Sequence, residues 1–252
     1  PMISSRWPRP IGTIASMALR PVCTGCATGC SVEVHASKGH IYRLVPRENL
    51  AVNKFWMCDD GRFTYKEVRD ARVATPSVGG RPVAWDKALD EAGKLLSGVL
   101  AKGAQNLGVV FSAQSTNEDL YALAKLAFDH LGIGKAYLAG KDEGWSDDIL
   151  VSADKNPNTA GAKAIGGTRL RSLMDLSRDL KAGTVTGLLV VGADGVLGAG
   201  GLQTLPIEKL EALVVVASRQ NAVTAAAHVV LPLAMWALVG FFDQLGLALH
   251  NI

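Results

Sequence analysis

Cys23-Thr-Gly-Cys-Ala-Thr-Gly-Cys30 packs three cysteines into eight residues, and a fourth stands in Phe55-Trp-Met-Cys58. Written as spacing, Cys23-x2-Cys26-x3-Cys30-x27-Cys58 uses every cysteine of the 252-residue chain. Four cysteines are too few for a disulfide scaffold of this length. Three thiolates on one short loop can wrap three corners of an iron–sulfur cubane, with the fourth supplied by a distant loop. Gly25 and Gly29 lie between them. A tightly curved backbone there calls for positive φ, and its N–H groups can point at sulfur. Structural zinc is the main alternative. Four-cysteine zinc sites usually draw a Cys-x2-Cys pair from each half, whereas the second half here offers only Cys58. Unligated thiols or disulfides are a third reading. The favoured one is a single [4Fe-4S] cluster held by Cys23, Cys26, Cys30 and Cys58.

Outward from the cysteines, Val32–Val45 reads as a hairpin, two alternating β-prone runs around Ser37-Lys-Gly39. Gly79-Gly-Arg-Pro82 marks a loop, and the composition changes there, which places a domain boundary near residue 76. The expected organisation is an atypical segment 1–20, a cluster-binding domain 21–75 and an α/β domain 76–252. Beyond the boundary, Trp85, Ala88, Leu89, Ala92, Leu95, Leu96, Val99 and Leu100 form an apolar stripe at helical spacing. Ser115-Thr-Asn-Glu118 is a capping-box signature for a second helix with a face of Leu120, Leu123, Ala124, Ala127, Phe128 and Leu131. Leu170–Leu180 reads as a third helix. Leu107–Phe111, Ala136–Ala139, Gly187–Val191 and Leu213–Ala217 are short apolar runs. Such runs between helices predict a parallel sheet covered on both faces. The fold class is α/β: a small cysteine-rich β domain followed by a mostly parallel α/β sheet domain.

Composition narrows the function classes. With 48% hydrophobic and 19% charged residues, the chain is too apolar to be disordered. Its net charge of +3 is not the excess of a dedicated nucleic-acid binder. That charge belongs to residues 1–75, which hold 11 basic against 6 acidic groups, and Lys38, Arg43, Arg47 and Arg62 are candidates for offsetting a negative cluster. Residues 3–22 contain no acid and several Ser and Arg, the composition of a targeting segment, although a convincing cleavage site is missing. Ala222–Phe242 is uncharged apart from His228 and long enough to span a bilayer. Pro232 interrupts it, so a buried strand–loop–strand is favoured. His35 and His40 read as solvated turn residues, Asp59-Asp60 as an exposed acidic step. Gly192-Ala-Asp-Gly195 lacks the full phosphate-loop pattern. No catalytic constellation is evident.

The residues also carry a family resemblance. Cys23–Cys30, Tyr42-Arg-Leu-Val-Pro-Arg47 and Val52-Asn-Lys-Phe-Trp-Met-Cys-Asp-Asp-Gly-Arg-Phe63 resemble the molybdopterin-oxidoreductase-type 4Fe-4S domain. More narrowly, they are similar to its version in the large iron–sulfur subunit of NADH-quinone oxidoreductase, respiratory complex I. The resemblance continues through Arg81-Pro-Val-Ala-Trp85 and Thr116-Asn-Glu118 to His228-Val-Val-Leu-Pro232, covering residues 21–237. It implies that the four cysteines ligate one [4Fe-4S] cluster in a peripheral arm on the cytoplasmic face of the inner membrane, or the matrix side in mitochondria. The partners implied are the flavin- and NADH-binding subunit and other iron–sulfur subunits, with the membrane reached only through the complex and no nucleic acid involved.

Molybdenum and tungsten members of the superfamily typically place a lysine two residues after the fourth cysteine; here that position is Asp60. No fifth cysteine is available for molybdenum, so molybdopterin is not expected. After Trp236-Ala237 the sequence departs from the family, which suggests an internal piece of a larger subunit. The leading expectation is an electron-transfer module of an NADH-quinone oxidoreductase without a self-contained active site. A fragment or accessory subunit of a molybdopterin enzyme such as formate dehydrogenase is the second. A non-redox assembly module stapled by its metal is the third.

Overall fold

The computed structural model describes residues 21–37, 40–68, 71–192 and 201–234. Two sheets organise them. β1 (Val32–Ser37) and β2 (His40–Pro46) form the antiparallel hairpin expected from the sequence, with a register shift between His35 and Ala36. Val32, Val34, Ile41 and Leu44 turn to one buried side, where they pack with Cys23, Cys30, Met57 and Val68. The hairpin therefore forms the floor under the cysteines. α1 (Asp59–Phe63) follows the fourth cysteine directly and contacts β2.

The larger sheet has eight strands in the order β4-β3-β10-β9-β8-β5-β6-β7. At one edge β3 (Ser77–Val78) and β4 (Arg81–Pro82) run antiparallel. The other six are β5 (Leu107–Ser112), β6 (Ala136–Ala139), β7 (Leu170–Arg171), β8 (Gly187–Val191), β9 (Ala212–Ala217) and β10 (Val229–Pro232). These are mutually parallel. Side chains alternate between faces along a strand. Val110, Leu188, Val190, Leu213 and Val215 accordingly fill one core, while Val109, Phe111, Leu189 and Val214 fill the other. Burial on both sides is why these strands read as unbroken apolar runs. The expected mostly parallel α/β architecture is what the chain adopts.

Several local expectations shift. α2 (Trp85–Leu100) buries Ala88, Ala92 and Val99 but leaves Trp85 and Leu89 exposed, so its apolar stripe is narrower than the sequence suggests. α3 (Asn117–Ala124) is capped by Thr116, whose hydroxyl accepts from Asp119 N–H at 3.2 Å, one residue beyond the expected Ser115. It runs on through a π-helical turn, Lys125–His130. Leu170 starts no helix. It pairs with Ala136 as part of β7, and α5 (Leu173–Lys181) begins after Ser172, which forms a capping box with Asp175. α4 (Thr159–Gly166) precedes that strand. The apolar stretch near the end does not open with the expected strand: capped by Asn221, it forms the short helix α6 (Ala222–Ala226), of which Val223 and Thr224 are buried, and only then the strand β10. Among the described residues no helix is long and apolar enough to cross a membrane. Residues 1–20, Lys38, residues 193–195 and the departure after Ala237 lie outside the described residues.

Beside the parallel sheet, Asp179 on α5 accepts from Lys135 Nζ and Tyr137 Oη, each at 2.5 Å. Burial pushes the Asp179 carboxyl up, but these donors outweigh it and hold the group below its usual range. Tyr137 is wholly buried and depends on this acceptor. Asp179→Ala should cost about 2 kcal/mol at pH 7, because it strands a buried hydroxyl and an ammonium. A carboxyl with a depressed folded pKa stabilises fully above its unfolded value, near 4, and loses that contribution as pH falls through the folded value. Urea titrations of wild type and variant should therefore differ at pH 7 and converge toward pH 3.

Candidate metal centre

The cysteine loop closes on itself before any metal is considered. Cys23 N–H donates to the Cys30 carbonyl at 2.8 Å, so the two ends of the motif are hydrogen-bonded together. Gly29 sits at φ +62°, the conformation expected of it. Gly25 does not need positive φ; its N–H instead donates to Cys23 Sγ at 3.4 Å. Cys23, Cys26 and Cys30 are buried, and Cys58 is partly exposed.

Cys58 reaches this loop through two devices that spacing alone did not reveal. The first is Asn53, 1% exposed. Its Oδ1 accepts from Ser31 N–H at 2.9 Å, while Nδ2 donates to the carbonyls of Arg47 at 3.2 Å and Trp56 at 3.0 Å. One side chain thus ties the residue after Cys30 to the turn that carries Cys58. A polar Asn in a polar loop gives no sign of this role in the sequence. The second device is Gly61. A Cβ at this position would lie 2.8 Å from Cys23 Sγ and 3.3 Å from Cys58 Sγ. Both sulfurs therefore stand within 3.3 Å of one point, and less than twice that distance from each other. Gly61 N–H also donates to Cys58 Sγ at 3.3 Å, with Cys58 capping α1.

All four cysteines border one cavity, together with Gly25, Gly29, Met57, Asp60, Gly61, Leu150, Val151 and Lys155. Among the described residues no three metal-ligating side chains gather tightly enough for a single ion. Four thiols bordering one space, backbone N–H groups aimed at two sulfurs and a glycine that leaves the space open all fit an iron–sulfur cluster. Burial pushes the Cys23 and Cys30 thiols up to about 11, and neighbouring sulfurs push in the same direction. Metal binding must therefore displace protons from them.

The other sequence candidates fall elsewhere. His35 Nδ1 accepts from Arg43 Nε at 3.1 Å, and His40 is exposed at the start of β2; neither borders the cavity. Asp59 pairs with Arg62 at 3.9 Å. Asp60 does line the cavity, but Arg43, Arg47 and Arg62, expected to offset cluster charge, do not. The basic residue among those that border the cavity is Lys155, from a segment whose sequence carries no motif that points to the cysteines.

Comparison with known proteins agrees with the geometry over this part of the chain. Residues 19–70 match the Molybdopterin oxidoreductase Fe4S4 domain. That match, in the N-terminal part of an α/β chain, supports a 4Fe-4S cluster. The alpha subunit of an NADPH-Fe(3+) oxidoreductase from Geobacter sulfurreducens is 35% identical over 115 residues, 45% of this chain and 14% of that one. An NADH-quinone oxidoreductase subunit from Pseudomonas fluorescens is 35% identical over 107 residues, 42% of this chain and 11% of that one. A Staphylococcus aureus protein named as a formate dehydrogenase is 31% identical over 119 residues, 45% of this chain and 12% of that one. The chain spans between 11 and 14% of the length of these relatives. Each match covers less than half of the chain, a shorter reach than the expected 21–237, and three differently named enzymes share it.

Two substitutions probe this construction. Asn53→Leu should destabilise the 21–68 region by on the order of 3 kcal/mol, since it leaves buried Ser31 N–H and two carbonyls unpaired. Hydrogen exchange should show the loss there while β5 and β8 keep their protection. Gly61→Ala should force Cys23 Sγ aside and lower the iron retained per chain.

Proposed function

We propose that this chain is an iron–sulfur electron-transfer module that carries one [4Fe-4S] cluster on Cys23, Cys26, Cys30 and Cys58 and belongs to an NADH-quinone oxidoreductase-type assembly. The observation that carries the reading is the convergence of all four thiols, from two separate backbone segments, on one cavity. Such a cluster supplies a one-electron store. The chain's own residues then have defined tasks. Met57, Leu150 and Val151 keep water from the cavity wall, and the N–H groups of Gly25 and Gly61 stabilise charge on Cys23 and Cys58. The expected partners are the flavin- and NADH-binding and iron–sulfur subunits of a peripheral arm at the cytoplasmic or matrix face of the membrane.

The formate dehydrogenase relative favours a second reading, in which the chain is a piece or accessory subunit of a molybdopterin enzyme. Asp60, at the position where such enzymes typically carry lysine, weighs against it. Anaerobic purification with metal and pterin analysis separates the two. About four iron and four sulfide per chain, with a reducible paramagnetic signal and no molybdenum or pterin, is the expected result. Copurifying molybdenum would favour the second reading, and stoichiometric zinc in place of iron would sink both. Cys58→Ser should lose the four-iron spectrum and loosen residues 21–65; an intact cluster in that variant would show the ligand set to be wrong.

A further inference from the structure

We propose that Lys155, carried by the strap between β6 and α4 and bordering the cavity, raises the reduction potential of the cluster from the α/β side. The inference rests on the cluster reading above and names a charge that neither the cysteine spacing nor the family comparison assigns.

The strap is built to hold a fixed shape. Asn156, 5% exposed, joins its two ends. Its Oδ1 accepts from Lys141 N–H at 2.7 Å, and its Nδ2 donates to the Lys141 carbonyl at 2.9 Å. Between them Gly144 N–H donates to the Ala153 carbonyl at 2.9 Å, and Asp147 N–H to that of Val151 at 3.0 Å. The Asp147 carboxylate gathers the N–H groups of Ile149, Leu150 and Val151 at 3.0, 2.6 and 2.8 Å. This preformed loop docks on the cysteine motif at two points. Ala27 N–H donates to the Asp154 carbonyl at 2.8 Å, and the Thr28 hydroxyl donates to the Leu150 carbonyl at 2.6 Å. Both donors lie between Cys26 and Cys30, so the strap's position is set by the cluster loop itself.

Lys155 arrives with that docking. Its ammonium donates to the carbonyl of Ser152 at 2.9 Å and to that of Trp145. Its stem crosses Gly144, where a Cβ would meet Lys155 Cε at 2.7 Å. The side chain is therefore braced instead of free. Asp60 is the acidic group and Lys155 the basic group among the residues that border the cavity. A thiolate-ligated cluster becomes more negative on reduction. A fixed cation beside it, across partly apolar walls, favours the reduced form more than the oxidised one.

The test is a redox titration, followed by paramagnetic resonance, of the full chain carrying its cluster under anaerobic conditions. Lys155→Met removes the charge and keeps most of the stem. Lys155→Gln also keeps a donor for the strap carbonyls, and Lys155→Arg keeps the charge. Both neutral variants should titrate at a lower midpoint than wild type at unchanged iron content, with the Arg variant close to wild type. A neutral variant that holds four iron and keeps the wild-type midpoint overturns the proposal. So does loss of the cluster from both neutral variants, which would make the residue structural. Failure of the wild-type chain to hold four iron would instead overturn the cluster reading, and this inference with it.

Discussion

Two sulfurs that belong to distant parts of the chain share the space left by one missing methyl group. Cys23 Sγ and Cys58 Sγ both approach Gly61 closely enough that a Cβ there would collide with the first and crowd the second. Everything around the cysteines serves that approach. The hairpin supplies an apolar floor, Asn53 ties the two cysteine-bearing segments together, and the helix that starts at Cys58 brings Gly61 back over Cys23. Because Cys23 and Cys30 are buried and reluctant to lose protons, and ionised thiols so close together repel, this arrangement carries a cost without metal. The free energy of metal binding is what offsets it, which makes assembly of the centre and ordering of this region one event.

The α/β domain meets the cysteine loop through the segment after β6. β5 and β6 lie side by side in the parallel sheet, and the segment after β6 leaves it as the strap that meets the cysteine loop. Doubly covered parallel strands are rigid, so a loop launched from them can hold a charge at a set place, as a solvated surface arginine cannot. The charge proposed for Lys155 thus depends on how the sheet packs, and not only on the basic composition of residues 1–75. The family match lies on the cysteine-bearing part, and the chain covers a small share of each of three differently named relatives.

Much of the architecture was legible in the residues, for reasons of period and local chemistry. The hairpin shows as two alternating runs about a turn, and β5, β8 and β9 show as continuous apolar runs because both their faces are covered. Misreadings arose where two local signals competed. Ser115 and Thr116 both offer a capping hydroxyl, and only packing selects Thr116. Leu170 continues the apolar spacing of α5, yet pairing with Ala136 draws it into the sheet ahead of the Ser172 cap. Trp85 and Leu89 keep helical spacing but point beyond the edge of the core.

At the centre itself, the sequence determined which thiols are on offer. Four thiols at that spacing, with Gly29 to turn the loop, are covalent facts that no packing can change. Only the tertiary structure decided what encloses them. Asn53, Gly61 and Lys155 act by reaching groups far along the chain, or by leaving room for them, and such roles have no local period or spacing. Ligand identity is written in side-chain chemistry, whereas position, burial and neighbouring charge come into being only once distant segments are brought within a few ångströms.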